Sequence, residues 1–101
     1  MKNFESLAHQ VRGWATERSI IPNSTPAAQL LKTMSELGEL ADATAKNDAG
    51  AIADGVGDVL VCIINYCALQ GIDPVDCLGG AYDQIKGRKG TLLPSGVFLK
   101  E

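Results

Sequence analysis

Residues 48–70 constrain this chain most tightly, because they read as one helix that is apolar almost all round and yet carries acids. Ile52, Val56, Val59, Leu60, Ile63, Ile64 and Cys67 occupy most of its circumference, and even Val61, beside the aspartates, is apolar. Asp54, Asp58 and Asn65 fall on a single stripe, since steps of four and seven residues return to nearly the same azimuth. A helix of this kind is normally buried. An ionised carboxylate taken into such surroundings without a partner costs on the order of several kcal/mol. A cation, a basic side chain or a proton must compensate it.

The remaining periodicity is also helical, and breakers divide the chain into four helices. The first covers residues 3–18, with Phe4, Leu7, Val11 and Trp14 at helical spacing. A loop over residues 20–25 leads to Thr25-Pro26, an N-cap followed by proline at the first helical position, and the second helix covers residues 26–46. Asn47-Asp48 ends it and caps the third. Gly71 suits a C-terminal cap, and Asp73-Pro74, with Asp76 three residues after the cap, starts a fourth helix that runs to about residue 88. The tail, residues 91–101, holds Pro94 and Ser95-Gly96 before Val97-Phe98-Leu99. It reads as extended or as a short turn whose apolar residues need a surface to lie on. The expected architecture is all-α: an antiparallel four-helix bundle-like domain with a short extended C-terminal tail, one domain over residues 1–101.

Charge and composition narrow the partners. A net charge of −3 argues against nucleic acid and against an anionic membrane surface. The longest unbroken apolar run, residues 59–64, is too short to cross a bilayer. Cys62, Cys67 and Cys77 show no metal-type spacing and read as small core residues in a reducing compartment. The first residues lack the pattern of a secretion signal, so a cytoplasmic location is expected. At 46% apolar residues in 101, the helices carry more apolar surface than so short a chain buries, which points to a homodimer or a dimer of dimers.

On the second helix Glu36 and Glu39 are three residues apart and share a face with Lys32 and Gln29, opposite Leu30, Met34, Leu37 and Ala41. Taken alone this is an ordinary amphipathic helix with a solvated acidic face. Beside the acidic stripe of the third helix it becomes half of a metal site. A set of oxygen ligands suits Mg²⁺, with Mn²⁺ as an alternative, and does not suit zinc. The single histidine, His9, sits on another helix, so the Glu-x-x-His pairs of di-iron bundles are missing. Carboxylates alone favour phosphate chemistry over redox chemistry.

These residues, in this order, resemble the MazG-like nucleoside triphosphate pyrophosphohydrolases, particularly their short single-domain forms from phages and bacteria. The resemblance runs through Trp14-Ala15-Thr16-Glu17-Arg18, Gln29-Leu30-Leu31-Lys32, Glu36-Leu37-Gly38-Glu39-Leu40 and Gly57-Asp58-Val59-Leu60. It closes with Ile85-Lys86-Gly87-Arg88-Lys89-Gly90 and Gly96-Val97-Phe98-Leu99-Lys100-Glu101. It implies Mg²⁺ held by Glu-x-x-Glu on one helix and Glu-x-x-Asp on the next, which carries over Glu36, Glu39 and Asp58. The fourth position falls on Gly55, and Asp54, one turn before Asp58, is the natural substitute; Ser35 stands where the family often has an acid. The implied reaction is attack of a metal-activated water on a (d)NTP, giving the monophosphate and pyrophosphate, with Glu36 or Glu39 accepting the proton. On this view Gly55→Glu would restore a ligand.

Substrate contacts follow the same resemblance and ordinary chemistry. Lys32, on the face of Glu36, and the cluster Lys86, Arg88 and Lys89 are candidates for the phosphates, although basic residues also simply suit a helix C-terminus. Asn65 suits sugar or phosphate, or a satisfied core position. Trp14 offers a stacking face for the base, with Arg18 in the same helix, and serves equally well as core packing. Two other readings stand beside the enzyme: a nucleotide-binding module with weak or lost catalysis because of Gly55, and a structural helical bundle with acids on its surface.

Overall fold

The computed structural model describes residues 2–101; Met1 lies outside the described residues. Helix α1, Phe4–Glu17, starts from a capping box in which the Asn3 side chain accepts from the Ser6 N–H at 2.8 Å. A single helical turn, α2 (Ile20–Asn23), occupies the stretch expected to be a loop, and the Asn23 amide closes it by donating to the Ser19 carbonyl at 2.9 Å. Helix α3, Pro26–Ala45, is capped by Thr25, whose hydroxyl accepts from Ala28 N–H at 3.1 Å. Helix α4, Ala49–Gln70, is capped by Asp48 and ends at Gly71, whose φ of 71° is the left-handed conformation that glycine adopts without strain. Helix α5, Pro74–Ile85, starts at Asp73 and ends three residues earlier than expected.

The tail is a β-hairpin, β1 (Gly90–Leu92) with β2 (Phe98–Lys100), pairing Thr91 with Leu99 across an antiparallel ladder. Its turn needs Gly96 at φ 90°, and a Cβ at Gly90 would collide with the Leu99 carbonyl and the Phe98 ring.

Helix α4 is the hub. Helices α1, α2, α3 and α5 all pack on it, whereas α3 touches no other element. The short link at residues 46–48 makes α3 and α4 antiparallel, and they come close where Gly55 meets Leu40. A Cβ at Gly55 would stand 3.1 Å from Leu40 Cδ1 and 3.4 Å from its Cα. Glycine fits the α3–α4 seam here with least crowding. A side chain added at 55, as in Gly55→Glu, would press on Leu40, which must give by a few tenths of an ångström. Measured as a whole helix, not by its longest apolar run, α4 does reach the length and apolarity of a membrane span. It also carries Asp54, Asp58 and Asn65, which hydrocarbon would penalise.

The buried residues are small: Ala8 and Ala15 on α1, Ala43 on α3, and Cys62, Ile64 and Cys67 on α4, with no large side chain fully buried among the described residues. Cys77, expected in the core, is exposed on α5. One chain therefore lays out the helices of a bundle without closing it. Leu30, Leu31, Met34 and Leu37 of α3 stay exposed, and so do Leu78, Tyr82 and Ile85 of α5. Beyond Pro74 and Val75, α5 is exposed throughout, and the hairpin contacts none of the helices. The radius of gyration is 15.9 Å, against about 13 Å for a compact domain of this length. The chain exposes 7290 Å², roughly 1,800 Å² more than a compact monomer of its mass.

The seam makes a testable contrast. Gly13 of α1 has open space around it, so Gly13→Ala should raise stability by about 0.5–1 kcal/mol through helix propensity. Gly55→Ala should lower it, because overpacking of about 1–3 kcal/mol outweighs that gain. Thermal unfolding of the two variants measures both.

Candidate active site

Helical phase along the α3–α4 seam places Glu36 and Glu39 opposite the face of α4 that carries Asp58 and Cys62. Glu36 is the anomaly: it is only 7% exposed, an unusual place for a carboxylate. One of its oxygens, Oε1, meets Lys32 Nζ at 3.2 Å, and the other, Oε2, is buried and has no donor beside it while Glu39 is ionised. Such an oxygen is costly unless something outside the chain satisfies it. A divalent cation is the chemistry that fits, since hard oxygen anions are what it seeks.

The electrostatics place the other acids in the same neighbourhood. The Glu39 carboxyl is held above the usual range, first by its hydrogen bond to Glu36 and the charge of Glu36, then by loss of solvent and by Asp58, with Lys32 opposing. Lys32 is raised by its hydrogen bond to Glu36 and by the Glu36 charge. Burial pushes the Cys62 thiol up, and the charges of Glu36 and Asp58 push it further. Glu36, Glu39, Asp58 and Lys32 are therefore mutual neighbours across the seam. They are not drawn tight: among the described residues no three His, Cys, Asp or Glu side chains already close around one point. Asp54 is exposed one turn from Asp58 and is absent from the charges acting on Glu39 and Cys62.

A cavity of about 410 Å³ opens beside Asp58, walled by Leu7, Gln10, Val11 and Trp14 of α1 and by Val61 of α4. Its lining is almost wholly apolar apart from Asp58 and Gln10. Trp14 is 43% exposed, and the Arg18 guanidinium lies 4.9 Å from its ring centroid, a cation–π contact. A larger cavity of about 590 Å³, with His9, Arg12 and Asp73 in its wall, lies away from the acid cluster.

The structure thus brings together Glu36, Glu39, Asp58 and Lys32, with Trp14 and Arg18 along the adjoining cavity. Asn65 lies two turns beyond Asp58, 3% exposed, with its Oδ1 buried and unpartnered. Lys86, Arg88 and Lys89 are not brought to the acids of their own chain. Lys86 pairs with Asp83 at 3.2 Å on exposed α5, and the other two stand in the turn before the hairpin. Cys62, expected in the core, is buried there beside the acids, whereas Gln10 belongs to no motif. Gln10 was findable by spacing, one turn from both Leu7 and Trp14.

The crowding of acids has a signed consequence. Because the folded state holds the Glu39 proton more tightly than the unfolded chain, stability without metal falls as pH rises from the ordinary carboxylate range through the raised value. Glu39→Gln should therefore melt higher than the parent at pH 7 in chelator, and the advantage should vanish near pH 3, where the carboxyl is protonated in both states. Melting curves at the two pH values test this.

Residues 24–92 match the MazG nucleotide pyrophosphohydrolase domain, a span that contains Glu36, Glu39, Asp54 and Asp58. An uncharacterized 18.2 kDa protein from the rep-hol intergenic region of Haemophilus phage HP1 is 35% identical over 75 residues. Those residues are 74% of this chain and 46% of that protein, so the chain spans about half the length of this relative. Among solved structures, the cyanophage S-2L MazG-like pyrophosphohydrolase bound to dGDP and three catalytic Mn²⁺ ions per active site shares the fold. The TM-score is 0.73 at 19% identity, over 100% of this chain and 99% of that one. By the domain match, on the helices that carry the acid cluster, the chain belongs to the MazG nucleotide pyrophosphohydrolase domain family.

Proposed function

We propose that this chain, as a single domain over residues 1–101, hydrolyses (d)NTPs to (d)NMPs and pyrophosphate with a divalent metal at Glu36, Glu39 and Asp58. The observation that carries this reading is the orphaned, buried Glu36 Oε2 beside two further acids and an apolar cavity. Mg²⁺ is the resident ion and Mn²⁺ a substitute; the cyanophage protein of the same fold binds Mn²⁺ at its active site. When bound, the ion polarises the phosphoanhydride and lowers the pKa of a coordinated water. Asp54, exposed one turn away, completes the ligand set through the open side of the site.

The chain's own groups divide the remaining work. Lys32, anchored on Glu36, offsets phosphate charge. Glu39 sits at the exposed mouth where water enters, whereas Glu36 has one oxygen on Lys32 and the other buried. Glu39 is accordingly the acceptor for the proton of the attacking water. The base occupies the cavity beside Trp14, with Arg18 stacked on the indole, and Asn65 accepts from a sugar hydroxyl at Oδ1 or donates from Nδ2 to a phosphate oxygen.

The working unit is a homodimer or a dimer of dimers. The roughly 1,800 Å² of excess surface per chain exceeds the about 800 Å² that a standard interface takes from each partner. An isolated 12-residue helix and a lone two-stranded hairpin are each marginal in water, so the α5–hairpin arm needs a second copy to lie on. The uncovered α3 face supplies the apolar surface. Carried on that arm, Lys86, Arg88 and Lys89 reach the phosphates bound by the partner.

Asp58→Asn should cut turnover by at least about 10³-fold while circular dichroism and elution volume stay unchanged, assayed as pyrophosphate and monophosphate release from a nucleotide panel with Mg²⁺. Wild-type rates in that variant would remove Asp58 from the site. Binding of nucleotide by the parent chain without product release would favour the binding-module reading. Mixing Asp58→Asn chains with a Lys86, Arg88, Lys89 triple-alanine chain should restore activity that neither has alone. Silence of the mixture would place those cations outside the site.

A further inference from the structure

Gln10 is the one neutral side chain in the cavity beside Asp58 that both donates and accepts hydrogen bonds. It stands one turn from Leu7 and one from Trp14, on the face of α1 that the cavity uses. Among the described residues its amide has no hydrogen-bond partner, and its exposure leaves it free to meet a ligand. Of the other walls, Leu7, Val11 and Val61 have no polar side-chain atom, and Trp14 has one donor and no acceptor, so none of them can pair with a donor and an acceptor on a ring edge. Asp58 is committed to the metal in the function proposed above, on which this inference rests.

We propose that Gln10 is the base-reading residue, and that it makes the site tolerant of all four bases instead of selective for one. The reason is chemical. A carboxamide presents one donor and one acceptor side by side, and rotation of the amide by 180° exchanges them. Adenine, guanine, cytosine and thymine each present an adjacent donor and acceptor on the Watson–Crick edge: N6–H with N1, N1–H with O6, N4–H with N3, and N3–H with O4. One orientation of the amide or the other matches every one of them. A carboxylate would not behave in this way. It only accepts, and two parallel N–H donors, as on N1 and N2 of guanine, are its match. The substrate class is therefore nucleoside triphosphates at large, held by stacking on Trp14 and by a two-bond contact that any base can make.

The test uses the full chain and its Gln10→Leu and Gln10→Glu variants, both at an exposed position that the fold does not depend on. Affinities for the four α,β-methylene deoxynucleoside triphosphates with Mg²⁺ are measured by calorimetry, and kcat/KM for the four natural dNTPs by pyrophosphate release. The parent chain should bind the four within about fivefold of one another. Gln10→Leu should weaken all four by roughly tenfold, and Gln10→Glu should favour guanine over thymine by roughly tenfold or more. A parent that prefers one base by a hundredfold, a leucine variant with unchanged affinities, or a glutamate variant with unchanged base order each overturns the assignment. Binding with the expected pattern but no pyrophosphate release would sink only the catalytic reading. Absence of nucleotide binding by the parent would overturn both.

Discussion

The rest of the molecule depends on the close approach of α3 and α4 where Gly55 meets Leu40. A residue without a side chain lets two helices sit this close with least crowding, and Gly55 is buried there with the Leu40 Cα 3.4 Å from where a Cβ would be. The crossing fixes the register of the antiparallel pair. That register sets Glu36 and Glu39 across from Asp58 and Cys62, close enough for the Glu36 charge to act on both Glu39 and Cys62. A seam wider by a side chain would let water between the acids, and the orphaned oxygen of Glu36 would lose its force as an observation.

Much of this was legible in the residues. The caps at Thr25, Asp48 and Asp73 were readable because each places an oxygen where a helix start has N–H groups without partners. Asp54 and Asp58 stood out because acids are rare on so apolar a helix, but the burial expected of them is not found: both are exposed, and the buried acid is Glu36 on the facing helix. What the sequence hid falls into two kinds. The first is depth: Glu36 and Glu39 look equivalent at i and i+3, yet one is buried and the other exposed, a difference of a fraction of a turn that only the partner helix decides. The second is the meaning of Gly55. Along the chain it reads as a missing ligand, and in three dimensions as the residue that crowds the contact least.

The tail shows a third kind of limit. Pro94, Gly96 and the apolar run at residues 97–99 signalled a turn flanked by something extended, and the hairpin satisfies that. No local signal said that it would leave the helices altogether. Local hydrogen bonds close the hairpin, including Leu93 N–H to the Val97 carbonyl at 2.8 Å, but nothing in the chain covers Leu92, Val97, Phe98 and Leu99. The expectation that apolar residues find a surface is not met within the single chain, and the proposed second copy is what would meet it.

The same reasoning joins the exposed arm to the acid cluster. A small chain whose buried core hydrophobics are mostly alanine and cysteine gains little from its own core. It then places carboxylates against one another, which subtracts further. Both deficits have the same remedy, which is binding: a second copy for the apolar arm, and a cation with its polyphosphate for the acids. Each bound partner stabilises the folded state by mass action. On this proposal the fold is only as secure as its occupancy, and the empty, isolated chain is the least stable form of the protein.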